Sequence, residues 1–194
     1  MRKFQIFLDL DDVIADTSRY LVHWHKKEWP YDDPALCGSR NNSETLKMSW
    51  EECWNELPLE FWETIPKFSW ADKLLEISEK YAPGEVYFLT SPIPNGVCAH
   101  GKTLWINENY PEYKNKLIIG HKKYAIVDTN SLLIDDSYET EDKFENRGKR
   151  ANFILFPSYL NRLHPMMKDI EKDPDIILMV IENYIQSFIN EQQI

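Results

Sequence analysis

Five short apolar runs limit what this chain can fold into more than any other feature. They are "FQIFLDL" (4–10), "EVYFLT" (85–90), "KLIIG" (116–120), "SLLIDD" (131–136) and "NFILF" (152–156). Each is too short for a helix, rich in branched or aromatic residues, and nearly continuous in apolar character. Strands covered on both faces look like this, as in parallel sheets, whereas half-exposed strands alternate with polar residues. The intervening stretches carry a helical period. In "SWADKLLEISEKY", Trp70, Leu74, Ile77 and Tyr81 share one face, with Ser69 as the N-cap and Pro83-Gly84 as the stop. "KTLWINENY" (102–110) reads as a second helix that ends before Pro111. Asp173-Pro174 opens a last helix whose stripe is Ile177, Val180, Ile181, Tyr184 and Phe188. Strands alternating with helices predict an α/β fold, a Rossmann-like doubly wound parallel sheet.

Residues 17–67 break this rhythm. They hold Trp24, Trp29, Trp50, Trp54 and Trp62, five of the seven tryptophans, with many charges and no strong strand run. The expectation is a small, mostly helical cap inserted after the first strand, leaving 1–16 and 68–194 as the α/β core. The length of 194 residues suits one such domain with an insertion better than two independent domains.

The net charge of −10 argues against extended nucleic-acid binding, which needs a basic surface. It does not exclude a small phosphorylated ligand, because a metal and a few lysines can reverse the local field. Cys37, Cys53 and Cys98 are odd in number and lack CxxC spacing, so they read as reduced thiols. The first apolar run is cut short by Asp9, and no stretch reaches transmembrane length. A cytoplasmic protein without membrane contact is expected.

Open α/β sheets bind ligands at the carboxyl ends of their strands, and three runs end in groups suited to catalysis. The first delivers Asp9 and Asp11, the second Thr90 and Ser91, and the fourth Asp135 and Asp136. Crowded carboxylates repel one another unless a cation sits among them, and an all-oxygen set suits magnesium. The hydroxyls and backbone N–H groups after the second strand can hold phosphate oxygens, with a nearby lysine (102, 122 or 123) neutralising charge. One aspartate can then attack phosphorus while a second acid serves the leaving group. An Asp-rich turn is the competing explanation for each pair taken alone.

"FLDLDDVIAD" resembles the first motif of the haloacid dehalogenase (HAD) superfamily of phosphohydrolases, an apolar strand followed by D-x-D-x-[TV]. "FLTSP" resembles its second motif and "LLIDDS" its fourth. Within that superfamily the chain is similar to the 5′(3′)-deoxyribonucleotidases, whose first motif reads D-M-D-G-V-L-A-D. Asp12 stands where that motif has glycine.

The resemblance implies a HAD-like core and a magnesium-dependent phosphatase acting on nucleoside monophosphates through an aspartyl-phosphate. It implies Asp9 as nucleophile and Asp11 as general acid and then base. Magnesium would be held by Asp9, the Asp11 backbone carbonyl and Asp135, with Asp136 acting through water. Thr90 and Ser91 would bind phosphate. Lys123 resembles the loop lysine of the third motif, with Lys122 as the alternative, and Lys102 matches a further family lysine. Relatives stack the base on aromatic side chains of the insertion, where Trp54 is the better positional match and Trp50 the weaker. The partner expected is a small phosphate ester, and a homodimer is compatible with it. The rivals are the same chemistry on a sugar phosphate or nucleic-acid end, or a non-catalytic phosphate-ligand binding protein.

Overall fold

All five apolar runs form strands: β1 (Gln5–Leu8), β2 (Val86–Thr90), β3 (Leu117–Ile119), β4 (Ser131–Asp135) and β5 (Phe153–Leu155). In this computed structural model, which describes residues 3–38 and 42–192, they make one all-parallel sheet in the order β3-β2-β1-β4-β5. The helices in chain order are α1 (Thr17–Trp24), α2 (Asn42–Thr45), α3 (Leu59–Glu63), α4 (Ala71–Tyr81) and α5 (Gly96–Asn109). They continue with α6 (Lys123–Ile126), α7 (Tyr138–Glu145), α8 (Met167–Lys172) and α9 (Asp175–Gln192).

Successive strand residues point to opposite faces, so two cores form. Ile6, Leu8, Phe88 and Ile134 pack with Leu74 of α4, Ile106 of α5 and Ile181 and Ile185 of α9. Phe7, Leu89, Leu133 and Phe153 pack with Val127, just after α6, and Phe144 of α7. Burial on both faces is why β1 and β4 read as continuous apolar runs. The fold is therefore the doubly wound α/β arrangement that the strand pattern predicts.

Three helix details differ from the sequence reading. No side chain caps α4, whose N-cap is Trp70 and not Ser69. Trp70 is held instead by burial, by its Nε1–H donating to the Val13 carbonyl at 2.9 Å, and by stacking on Phe68 at 4.1 Å. Helix α5 begins at Gly96, ahead of the expected 102, with the Asn95 side chain accepting from Cys98 N at 2.9 Å. Its buried face mixes Gly101 and Lys102 with Cys98, Trp105 and Ile106, which hides the apolar period. In α9 the buried stripe is Ile177, Leu178, Ile181, Ile185 and Phe188, while Val180 and Tyr184 are 48% and 38% exposed. The run "IILMVI" is apolar all round, so period alone could not choose the inner face.

Between β1 and α4 the chain forms α1, α2 and α3, short 3₁₀ turns and a π-helical turn at Glu51–Asn55. The two ends of this segment are stitched together. Asp16 N donates to Pro66 O and Phe68 N to Ile14 O, both at 2.9 Å. The Trp105 indole also donates to Ile65 O at 2.7 Å. All three cysteines are free thiols. Among the described residues no helix is long and apolar enough to cross a membrane.

Candidate active site

The sheet order reverses direction at β1, and the flanking crevice is where an open α/β sheet collects functional groups. Leu8 lies beside Ile134 in register, so the next residues along, Asp9 and Asp135, arrive side by side. Asp9 N still donates to Ile134 O at 2.9 Å, which extends the ladder one residue and fixes the Asp9 backbone. Lys123, at the start of α6, places its ammonium 2.7 Å from an oxygen of each carboxylate. Asp135 also accepts from Ser137 N at 2.7 Å, and Asp9 from Leu10 N at 2.8 Å.

All three groups are buried, so their electrostatics are strong. Burial pushes the Asp9 carboxyl up to about 7; Lys123 opposes this, and repulsion from Asp135 and Asp11 adds to it. Burial works against the Lys123 ammonium, but Asp135 and Asp9 outweigh it and hold its pKa above the ordinary lysine value. Of the two adjacent lysines, Lys123 reaches the carboxylates, while Lys122 is exposed.

Asp9, Asp135 and Asp136 each bring a carboxylate oxygen within 4.8 Å of the others, a group that could hold a metal ion. An all-oxygen donor set matches a hard divalent cation. The Asp11 side chain is not part of that group and has other partners. Its Oδ1 accepts from the Thr17 hydroxyl at 3.0 Å, and its Oδ2 from the Thr90 hydroxyl at 3.3 Å and the Lys102 ammonium. Lys102 is buried and donates as well to Thr90 Oγ1 and Ser91 O, both at 2.8 Å. One buried lysine thus serves Asp9 and another serves Asp11.

A cavity of about 480 Å³ opens above these groups, within the range of small-molecule sites. Asp9, Asp11, Asp136, Ser91, Lys102, Lys123 and Trp54 line it, so the structure brings these sequence-selected residues to one place. Asp135 lies beneath them, and Thr90 lies behind, its hydroxyl held between Lys102 and Asp11. Arg147, Lys149 and Arg150 bind protein groups: the Tyr124 ring, the Tyr124 and Val127 carbonyls, and Glu141.

The opposite wall comes from the segment between β1 and α4. Trp54 stacks on Trp62 at 6.4 Å and 22°, and Trp50, 51% exposed, lies 5.9 Å from Trp54 at 39°. Gly101 makes this wall possible. A Cβ there would fall 2.3 Å from Trp62 Cβ, so only glycine lets α5 approach α3 this closely. Trp62, Thr17, Ser18 and Asn42 also line the cavity and were not singled out from sequence. Thr17 and Ser18, a few residues past the aspartates, were the ones proximity could have flagged.

Asp12 departs from its neighbours. Its φ of +54° is left-handed, the conformation glycine adopts freely. It is buried, its side chain accepts from Ser18 N at 2.9 Å and from the Ser18 hydroxyl, and burial pushes its carboxyl up to about 7.

No protein-family model and no curated protein matches the chain. Among solved structures it is similar to that of YfnB, a Bacillus subtilis protein described as a HAD-hydrolase and solved bound to magnesium. The identity is 17%, over 71% of this chain and 79% of that one, with a TM-score of 0.41.

Proposed function

We propose that the protein is a magnesium-dependent phosphatase of the HAD type, hydrolysing nucleoside monophosphates through an aspartyl-phosphate. The observation that carries this reading is the buried trio Asp9, Asp135 and Asp136 at adjacent strand ends, with Lys123 bridging two of them at the floor of a cavity. Buried like charges cost several kcal/mol, roughly, unless a cation or a reaction uses them. Magnesium would be held by Asp9, Asp135, Asp136 and the Asp11 backbone carbonyl, where it would neutralise phosphate charge and align phosphorus with the nucleophile.

Asp9 attacks phosphorus, and the P–O bond to the leaving group breaks as the new Asp9 Oδ–P bond forms. Asp11, protonated in this step, gives its proton to the departing oxygen; as a carboxylate it then takes a proton from the water that cleaves the phosphoaspartate. Lys102 and Thr90 hold Asp11 Oδ2 in place for both transfers, and Ser91 and Lys123 bind the phosphoryl oxygens. Residues 17–67 act as a cap on the core formed by 1–16 and 68–194, and Trp54 supplies the stacking face for the base.

A panel of monophosphates with magnesium tests this reading, comparing nucleotides with sugar phosphates, deoxy with ribo, and 5′ with 3′ esters. Nucleotides should be turned over preferentially. Equal rates on sugar phosphates would sink the nucleotidase assignment, and no phosphate release from any ester would sink the phosphatase.

A further inference from the structure

Asp12 has no task in the chemistry above, yet it holds a backbone conformation that costs a non-glycine residue about 1 kcal/mol or more. A side chain kept at such a position needs a compensating interaction. Here Asp12, 8% exposed as a residue, accepts through its carboxylate from both the backbone N–H and the hydroxyl of Ser18. Ser18 is the second residue of α1, and the helix's own N-cap, Asp16, makes no side-chain cap. Asp12 therefore satisfies an otherwise orphaned N–H at the start of α1 from outside the helix. One residue earlier, Thr17 donates to Asp11 Oδ1 at 3.0 Å, while Lys102 and Thr90 hold Oδ2. The plane of the Asp11 carboxylate is fixed only when both oxygens are held, one from the core and one from α1.

We propose that Asp12 is a positioning residue: by seating the first turn of α1 it presses Thr17 against Asp11 and so sets the direction of the proton-transferring carboxylate. This rests on the phosphatase reading for what Asp11 does, and on geometry alone for what Asp12 does.

The test compares Asp12→Gly, which keeps the left-handed backbone without strain, with Asp12→Asn, which also tolerates it and can still accept from Ser18 N. In Asp12→Gly the Ser18 amide should exchange faster and the Thr17–Asp11 hydrogen bond should be broken in a crystal structure. Asp12→Asn should restore both. In kinetics, Asp12→Gly should lower kcat about tenfold with KM within about threefold, and Asp12→Asn should recover most of it. Thr17→Val leaves the Asp12–Ser18 contact intact and should reproduce the kcat loss, which covers the case that Asp12→Gly does not fold. An unbroken Thr17–Asp11 bond in Asp12→Gly, a parent-like kcat in Asp12→Gly or Thr17→Val, or no recovery in Asp12→Asn would overturn the proposal. Wild-type protein inert on every phosphate ester would defeat the phosphatase reading, while the Thr17–Asp11 bond would still decide the role of Asp12.

Discussion

The floor and the roof of the cavity are held by different physics. On the floor, Asp9, Asp11, Asp135, Lys102 and Lys123 have named charged or hydrogen-bonding partners at close range. In the roof, Trp50, Trp54 and Trp62 are held by ring contacts and by the close approach of Gly101, and the buried Trp62 Nε1–H has no acceptor among the described residues. The floor is set by electrostatics and the roof by shape. Substitutions below should therefore act on charge, turnover and metal response, and substitutions above on substrate selection.

The largest effect is expected on the floor. Asp9→Asn removes the proposed nucleophile while leaving Lys123 paired with Asp135. Phosphate release should fall by more than about a thousandfold, with a parent-like circular dichroism spectrum. Residual turnover within tenfold of the parent would remove Asp9 from the chemistry and with it the central difference between floor and roof.

Lys123→Met sharpens the electrostatic half. It deletes the cation between two buried carboxylates, and losing one member of a buried pair costs about 3–5 kcal/mol. The metal-free melting temperature should drop by roughly 10 °C for a chain of this size. Magnesium should recover part of the loss, because an ion that binds only the folded state stabilises it. Thermal melts with and without magnesium read both effects, and an unchanged metal-free melting temperature would mean that the pair is electrostatically idle.

Trp54→Ala probes the roof. Base stacking is worth about 1–3 kcal/mol, so KM for a nucleotide should rise roughly tenfold with kcat nearly constant. KM for an ester with no ring should not move. An equal rise for both would show that Trp54 supports the fold instead of selecting the substrate.

The same division explains what could be read from sequence. Asp9 and Asp135 were legible because each stands at the end of a short, continuous apolar run, and register then brings the two ends together, whereas Lys123 was only one of three candidate lysines, with Lys122 beside it. Thr17, Asn42 and Trp62 were not. They sit in or beside helices of four to eight residues, too short to display a period, and their packing is aromatic and non-repeating. The start of α5 was missed for a related reason. Its buried face carries a lysine and a glycine, and both serve the cavity: one pairs with Asp11 and the other admits Trp62. In α9 the opposite problem arose, since too many apolar residues left Val180 and Tyr184 indistinguishable from the buried stripe.

The smallest expected effect lies where floor and roof join. Asp16 precedes α1, and its backbone N–H ties the outgoing chain to the returning one through Pro66. Burial pushes its carboxyl up to about 6, Arg19 pulls it down, and Glu171 raises it further. Between the unfolded value near 3.8 and this folded value, the unfolded chain releases a proton that the folded protein keeps. Stability from this group is therefore complete below about pH 4 and is lost as pH rises through about 6. Asp16→Asn does not titrate, so it should gain on the parent across that window by about 1 kcal/mol, a figure reduced because Asp16 is partly exposed and paired with Arg19. Denaturant melts of both proteins at pH 4 and pH 7.5 measure the difference. A gap that stays constant with pH would show that the neck is held by its backbone bonds alone, and that the charge logic of the floor ends before the chain reaches the roof.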